Sequence, residues 1–224
     1  MMKVIFLIPP SEGKDDGGKG KPLGEYPRGV ETIHKRFLEY DKSYEKLIGV
    51  KGDYLQESIE NNKKILSNPT MKALKRYTGT VYKHLDYESL NNDAKSFAEN
   101  HFVITSALFG FVFGKDFIPN YKLKMNKLKA YKHWKKISKS FLKDYFVIDV
   151  LTNTHRRSVS YDDGFKVDFK KMKNGKKRGA GHAGKKIKGK FLRWIAKNNI
   201  TNIEKIKEFA EEGYVWDGNC FLKR

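Results

Sequence analysis

Hydroxyl, carboxyl and glycine residues gather in the stretch 102–125, which reads FVITSALFGFVFGKDFIPNYKLKM. An apolar run at its start leads to Ser106, and Asp116 and Tyr121 follow two glycines. This pattern predicts a buried strand that opens into a polar, glycine-kinked site. There Asp116 could act as a general acid or base, and Ser106 and Tyr121 could hydrogen-bond an anion. The segment taken alone favours the alternative of two core strands joined by an ordinary turn.

Asp149 is the only charged residue in the apolar run 146–151, which predicts another buried strand. A carboxylate that leaves water must be ion-paired, hydrogen-bonded or neutralised. Asp149 therefore has either a structural partner or a role in chemistry as a general acid or base.

Lys14 lies in a loop, 11–24, that follows the short apolar run 3–8 and contains five glycines. A glycine-rich loop at the end of a buried strand can hold phosphate with its backbone N–H groups, and Lys14 is also a candidate catalytic residue. The loop lacks the spacing of a P-loop, so no nucleotide triphosphatase is indicated. A merely mobile loop is the alternative.

Two helical patterns, in 30–48 and 55–66, flank the tetrapeptide Gly49-Val50-Lys51-Gly52. A helix, a tight glycine turn and a second helix resemble the helix-hairpin-helix unit of nonspecific DNA-binding proteins. Gly49 and Gly52 would let backbone N–H groups approach a phosphate beside Lys51. Any antiparallel pair of helices also needs a turn, and Asp53 places an acid next to the proposed phosphate.

Tyr77 and Tyr82 flank Gly79 in the sequence RYTGTVYKHL. Their rings could stack on a nucleic-acid base, and their hydroxyls could hydrogen-bond it. Both rings could equally pack in the core with their hydroxyl groups satisfied.

Positive charge is concentrated in the second half of the chain. The net charge is +20, and residues 1–114 carry 17 basic and 15 acidic side chains against 29 and 11 in residues 115–224. The segment 164–193 is the extreme, with twelve Lys or Arg residues and only Asp168 as an acid. Such a field attracts polyanions and makes their binding salt-dependent. The alternative is a general enrichment of lysine on a solvated surface. Such an enrichment should raise the lysine content of both halves of the chain, whereas the first half is nearly neutral.

The helix predicted around 187–195 supplies the strongest candidates for anion contacts, Lys186, Lys188 and Arg193. Gly189 inside that helix lowers its stability, which predicts close approach by a backbone or a ligand.

Four sequence blocks together resemble the YaaA peroxide-stress family (UPF0246 type). The first three are LIPPSEGK at 7–14, RYTGTVYKHL at 76–85 and SALFG at 106–110 followed by Asp116, Tyr121, Leu123 and Met125. The fourth is KKIKGKFLR at 185–193 with the Glu212-Gly213-Tyr214 ending. The resemblance covers essentially the whole chain. It implies DNA binding and a role in limiting peroxide damage to DNA.

Four positions depart from the pattern of that family. Phe113-Gly114 stand where an Arg-Pro pair is expected, His155 stands near a position more often held by tyrosine, and Lys122 replaces a frequent arginine. Lysine offers a point charge in place of a bidentate anion clamp.

The predicted fold is a single α/β (α+β) domain, 1–224, with a mixed sheet and peripheral helices. No apolar run reaches membrane-spanning length, so we expect a cytoplasmic protein without membrane contact. Cys220, the only cysteine, excludes an intrachain disulfide and is either a reactive thiol or a small apolar filler. The histidines show no metal-ligand spacing, so no metal site is predicted, and the sequence requires no cofactor.

Two functions follow from these residues. The first is a cytoplasmic DNA-binding stress protein whose partner is double-stranded DNA, with phosphates held in a basic cleft where the candidate residues converge. The second is an enzyme acting on a nucleotide, nucleoside or modified base. In that enzyme the tyrosines stack the base, lysines hold phosphate, and Asp116 or Asp149 moves a proton. An RNA-associated module is a third reading that charge alone does not separate from the first.

Overall fold

A computed structural model describes residues 2–224 as a mixed α/β structure. The strands are β1 (Lys3–Ile8), β2 (Thr70–Lys72), β3 (Phe102–Ser106), β4 (Gly110–Phe113), β5 (Phe117–Pro119), β6 (Tyr145–Asp149), β7 (Gly164–Lys166), β8 (Phe169–Lys173), β9 (Lys176–Gly179), β10 (Tyr214–Trp216) and β11 (Phe221–Lys223). The helices are α1 (Val30–Leu38), α2 (Tyr44–Ile48), α3 (Asp53–Lys63), α4 (Ala73–Arg76), α5 (Thr80–Leu85), α6 (Asn92–His101), α7 (Ala130–Leu142), α8 (Asn153–Arg156), α9 (Gly181–Lys197) and α10 (Ile203–Lys207).

The central sheet has the strand order β4-β3-β1-β6-β7. Strands β3, β1, β6 and β7 are parallel, and β4 is an antiparallel edge. The chain leaves β1, returns as β3 on one side of it, and later returns as β6 on the other side. The strand order therefore reverses between β1 and β6, at their carboxyl ends, where open α/β sheets bind ligands.

Strand β1 is buried on both of its faces, as its continuous apolar sequence predicts. Ile5 and Leu7 pack in one apolar cluster with Leu142 of α7, whereas Phe6 and Ile8 pack in the larger cluster on the opposite face. The sheet is thus covered on both sides, and the mixed-sheet fold class that the sequence predicts is confirmed.

A second sheet, of order β10-β11-β8-β9, contains most of the basic segment 164–193 that lies before α9. Apolar and polar residues alternate in Phe165-Lys166-Val167-Asp168-Phe169, which predicts a single half-exposed strand, and this prediction is wrong. Residues 164–166 pair with β6 in the central sheet, while Phe169 begins β8 and pairs with Phe221 of β11. Val167 is buried between the two strands and donates its backbone N–H to Asp149, so the chain changes sheets at that point.

The structure does not show the predicted helix-hairpin-helix unit. Helix α1 ends at Leu38, and the five-residue helix α2 starts afresh after Ser43, whose hydroxyl accepts from the N–H of Lys46. The glycine turn therefore joins a single helical turn to α3, because the polar stretch between α1 and α2 interrupts the predicted long helix. Gly49 and Gly52 do have positive φ angles of 81° and 60°.

Candidate functional site

A cleft of about 1050 Å³ lies at the carboxyl ends of β1 and β6. Pro9 and Pro10 follow β1 on one side of it, and Leu151 and Thr152 follow β6 on the other. The cleft therefore occupies the point where the strand order of the parallel sheet reverses. Its charged lining residues are Glu12, Lys124, Arg156, Asp168, Lys170, Lys185 and Lys188.

A hydrogen-bonded cluster of hydroxyl groups stands against this cleft. Ser106, at the end of β3, lies 2.7 Å from the hydroxyl of Tyr121, which lies 2.9 Å from the hydroxyl of Tyr77. The ring of Tyr77 stacks on that of Tyr82 with centroids 5.3 Å apart, and the Tyr82 hydroxyl donates to the carbonyl of Pro9 at 2.9 Å. Tyr82 and Tyr121 line the cleft. The structure thus brings together four residues that the sequence singled out.

The hydroxyl cluster is buried and stays protonated at neutral pH. Ser106 Oγ also accepts from the N–H of Phe109 at 2.8 Å, and the Tyr121 hydroxyl lies between those of Ser106 and Tyr77. Burial raises the pKa of Tyr121 to about 12, so its hydroxyl remains a hydrogen-bond donor.

Lys14 packs over the faces of two of these tyrosines. Its Nζ lies 4.2 Å from the ring centroid of Tyr121 and 5.0 Å from that of Tyr77. Its backbone pairs with Tyr77 as an isolated β-bridge, and Nζ donates to the carbonyl of Ser11 at 3.3 Å. Burial, with a further contribution from the like charge of Lys122, lowers the pKa of Lys14 to about 7.

Arg76 is a determinant of the site that the sequence reasoning missed. Its guanidinium is fully buried and donates to the carbonyls of Asp15 at 2.6 Å and Gly17 at 2.8 Å. The N–H of Asp15 in turn donates to the carbonyl of Arg76 at 2.8 Å. These bonds hold the glycine-rich loop, so the arrangement around Lys14 does not fit the mobile-loop alternative. The first residue of the block RYTGTVYKHL was the available signal.

Asp149 is engaged in an ion-pair network below the cleft floor. One carboxylate oxygen accepts from Arg156 Nε at 2.9 Å and from the Tyr161 hydroxyl at 3.1 Å, and the other accepts from the N–H of Leu151 at 2.8 Å. Arg156 also donates to Asp168 at 2.7 Å. The structural partner that the sequence left open is therefore Arg156, and Asp149 is not a lining residue of the cleft.

Lys188 and His155 line the cleft at the end of β6. Lys188 is 8% exposed, and its ammonium donates to the carbonyls of Val150 and, at 2.9 Å, Leu151. Burial and the nearby Arg156 lower its pKa to about 8. Burial, followed by the charge of Lys188, lowers the pKa of His155 to about 4, so this imidazole is neutral at pH 7.

Asp116, Lys186 and Arg193 do not reach the cleft lining. Asp116 accepts from the N–H of Phe113 at 2.8 Å in the turn after β4, and burial raises its pKa. Lys186 forms an ion pair with Glu212 at 2.6 Å. Arg193 donates to the carbonyl of Leu85 at 3.0 Å and so caps the last turn of α5. The predicted convergence of all candidate residues in one site is therefore only partly realised.

The residues of the glycine turn lie in another part of the surface. Lys51 pairs with Glu45 at 3.1 Å, and Lys122 stacks over the exposed ring of Tyr54 with Nζ 4.8 Å from its centroid. A Cβ on Gly49 would lie 3.0 Å from Nζ of Lys124. Lys124 thus links this turn to the cleft, whereas Gly49, Lys51, Gly52 and Lys122 are not lining residues.

Strands β8 and β9 form a hairpin whose cationic face the sequence did not reveal. Lys171 pairs across the strands with Arg178, and Lys173 pairs with Lys176. Residues i and i+2 of a strand share a face, so these four side chains extend the face that buries Phe169 at the hairpin base. All four are exposed and form no salt bridge within the described residues 2–224. We call Lys171, Lys173, Lys176 and Arg178 the basic ribbon.

The base of the hairpin belongs to the cleft. Phe169 and Lys170 at the start of β8, and Gly179 at the end of β9, are lining residues. In the neighbouring strand β11, Lys223 pairs with Lys171, which places a further cation beside the basic ribbon. Part of the positive charge in the second half of the sequence thus forms a surface that extends outward from the rim of the cleft.

Three further observations concern Cys220, the metal-ligating residue types and the helices. Cys220 is 1% exposed, and burial raises the pKa of its thiol, which favours the apolar-filler interpretation. In the part of the chain that the structure describes, no cluster of three or more His, Cys, Asp or Glu side chains could hold a metal ion. None of the helices formed by residues 2–224 combines the length and apolar character needed to cross a bilayer.

Comparison with known proteins decides the family. A family model described as "Peroxide stress protein YaaA" matches residues 2–219. The chain belongs to the YaaA peroxide-stress family. It is 30% identical over 214 residues to a UPF0246 protein of Corynebacterium glutamicum, an alignment that covers 86% of this chain and 85% of that protein. It is also 27% identical to a UPF0246 protein of Crocosphaera subtropica, with 85% and 87% coverage. The resemblance inferred from four sequence blocks is confirmed.

Proposed function

We propose that this YaaA-family protein binds the phosphate backbone of double-stranded DNA through the cleft and the basic ribbon, and thereby limits peroxide damage to DNA. The family name supports the link to peroxide stress. The ordered, unpaired positive charge of the ribbon supports the choice of a polyanionic ligand. Because DNA is the proposed ligand, we also propose a cytoplasmic location.

The basic ribbon is the observation that carries this proposal. Like charges directly opposite each other in antiparallel strands destabilise the hairpin. Two such pairs, Lys171 with Arg178 and Lys173 with Lys176, stand side by side without an acidic neighbour in the ion pairs of residues 2–224. A row of phosphates would remove this repulsion and release the counterions of the DNA. Within residues 2–224, the hairpin beyond Lys171 is not paired with β11, and a two-stranded ribbon of this kind fits the major groove of B-form DNA.

The cleft adjoins the base of the hairpin that carries the basic ribbon, and Lys170 adds a cation on the other face of β8. Lys170 and Lys185 line it without an acidic partner in the described ion pairs, whereas Lys124 is paired with Glu12 at 3.4 Å. A phosphate held by Lys170 and Lys185 would lie on the path from the ribbon to the tyrosine-lined end. Contacts of this kind position a nucleic acid without reading its sequence, so we expect weak sequence selectivity.

Salt titration of duplex binding tests the proposal. Replacing the four ribbon residues by Gln should weaken binding of a mixed-sequence duplex and reduce the slope of log K against log salt by about 2 to 4. The matched control replaces four exposed lysines of α7, Lys132, Lys135, Lys136 and Lys139, by Gln. It removes the same charge from a different surface and should change binding much less. An equal loss in both variants, or a flat salt dependence of the parent protein, contradicts the proposal.

The second candidate function is an enzyme acting on a nucleotide, nucleoside or modified base. The observation that favours it is the combination of Lys14 with the hydroxyl cluster of Ser106, Tyr77 and Tyr121 at the reversal point of the sheet. Neither Asp116 nor Asp149 lines the cleft, so the proposed acid–base role needs another group. A nucleoside monophosphate is titrated into the parent protein and into Tyr121→Leu while tyrosine fluorescence is recorded. Quenching of the fluorescence in the parent protein but not in the variant would support this candidate. No such difference between the two proteins would count against it.

A further inference from the structure

The amine of Lys14 lies in an environment unlike that of a surface lysine. It rests on the faces of Tyr77 and Tyr121, and the carbonyl of Ser11 is its one hydrogen-bond acceptor among residues 2–224. The side chain is only partly exposed. An amine so enclosed loses hydration that a surface ammonium keeps, which favours its neutral, nucleophilic form.

The charges around Lys14 act in the same direction. Lys122 from the segment after β5 and Arg76 from α4 are both cations that oppose a third positive charge. Glu12 is the one acid whose charge favours the ammonium, and its carboxylate pairs with Lys124 at 3.4 Å. No salt bridge to Lys14 exists in the described chain. With the pKa lowered to about 7, close to half of the molecules carry a neutral amine at neutral pH.

Lys14 is not itself a lining residue of the cleft, but its amine contacts two residues that are. Its Nζ lies 3.3 Å from the carbonyl oxygen of Ser11 and 4.2 Å from the ring centroid of Tyr121. A ligand seated against Tyr82 and Tyr121 would therefore present its reactive atom near the amine.

We propose that Lys14 is a nucleophile that forms an imine with the aldehyde of a phosphate-bearing deoxyribose, such as the open-chain sugar of an abasic site in DNA. The ligand class rests on the proposed function, because the phosphates are those that the cleft and ribbon bind. Oxidative loss of a base leaves such an aldehyde, which gives a protein of peroxide stress a chemically reactive target.

The step balances without an oxidant, a reductant or a metal. The lone pair of the neutral amine attacks the carbonyl carbon, a C–N bond forms, and the carbonyl electron pair moves onto oxygen. Proton transfer gives a carbinolamine. Loss of water then breaks the C–O bond, and the water carries away the carbonyl oxygen and both amine protons to leave the C=N bond.

Borohydride trapping on the unmodified protein tests this proposal. Hydride reduces an imine to a stable secondary amine, and peptide mapping by mass spectrometry then locates the modified lysine. The probes are a duplex with one abasic site and free 2-deoxyribose 5-phosphate. We expect the adduct on Lys14, with a yield that rises through about pH 7, as its pKa requires. Adducts confined to other lysines, such as Lys124 or Lys185, or no adduct with either probe, would overturn the proposal.

The two probes and two variants separate the remaining outcomes. An adduct on Lys14 with the abasic duplex identifies DNA as the source of the aldehyde, and one with the free sugar phosphate alone identifies a small metabolite. Lys14→Met should lose at least tenfold in trapping while Lys135→Met, which alters an exposed lysine of α7 outside the cleft lining, keeps the parental yield. Gel shifts with an intact duplex on the same samples test the proposed function separately. Normal DNA binding without trapping at Lys14 rejects the imine and leaves that function standing.

Discussion

Gly189 of α9 lies against the carbonyl oxygen of Val81 in α5, and a Cβ at position 189 would stand 2.3 Å from that oxygen. The close approach by a backbone that the sequence predicts for Gly189 is therefore confirmed. Gly189→Ala should lower the free energy of unfolding by about 2 kcal/mol or more, because a backbone carbonyl cannot move aside as a side chain can. Urea denaturation measures this change.

A second glycine of α9 provides the control for that substitution. A Cβ at Gly184 would meet only the methyl group of Ala180, at 3.1 Å. Alanine also gains about 1 kcal/mol of helix propensity over glycine. Gly184→Ala should therefore leave stability nearly unchanged or raise it. A loss similar to that of Gly189→Ala would show that the contact with α5 is not the cause.

Lys14 should make the stability of the protein rise with pH. The unfolded chain keeps the ordinary lysine pKa of 10.5, and the folded protein has a pKa of about 7 at this position. Between these values the unfolded state binds more protons, so the free energy of unfolding increases as the pH rises. Below about pH 7 both states are protonated, and the full cost of burying the charge is present.

Comparison with Lys14→Met isolates this contribution from other titrating groups such as Lys188. The parent protein should gain about 2–4 kcal/mol relative to the variant between pH 7 and pH 10. Urea denaturation of both proteins at several pH values provides the difference. A constant difference across this range would mean that Lys14 titrates like a surface lysine, and the imine proposal would lose its electrostatic basis.

Asp149 should be important for stability. Asp149→Asn leaves the partly buried Arg156 without the more buried of its two carboxylate partners, and breaking a buried ion pair from one side costs about 3 kcal/mol or more. The comparison is Asp162→Asn, which breaks an exposed pair with Lys139 at 3.0 Å and should cost less than about 1 kcal/mol. Thermal and urea unfolding report both values. If both substitutions have equally small effects, Asp149 is not held mainly by its ion pair and is again a candidate general acid or base.

Apolar patterns predicted the strands of the central sheet, because burial on both faces leaves a continuous apolar run that few other structures produce. The run at 3–8 is strand β1, the run at 102–104 begins β3, and the run at 146–151 overlaps β6. The same reasoning failed at 165–169, where alternation continued while the chain passed from one sheet to another. It also failed at 30–48, where the structure has two helices, α1 and α2. The polar residues that end α1 and cap α2 do not interrupt the apolar spacing, so the pattern looks like one helix.

The candidate site was predicted in part. Ser106, Tyr77, Tyr82, Tyr121 and Lys14 were identified from residue types and family blocks, and they do meet. Arg156 and Arg76 were missed because their partners are carbonyls and carboxylates far away in the sequence. The basic ribbon was missed because register decides which lysines share a face, and a one-residue shift would have separated them.

A crystal structure of the protein bound to a short DNA duplex would show where the phosphates lie on its surface. We expect phosphates within hydrogen-bonding distance of Lys171 and Arg178, and a nucleotide or phosphate in the cleft beside Tyr121. A duplex seated instead on the Gly49–Gly52 turn, with the ribbon and the cleft open to solvent, would contradict the proposed function.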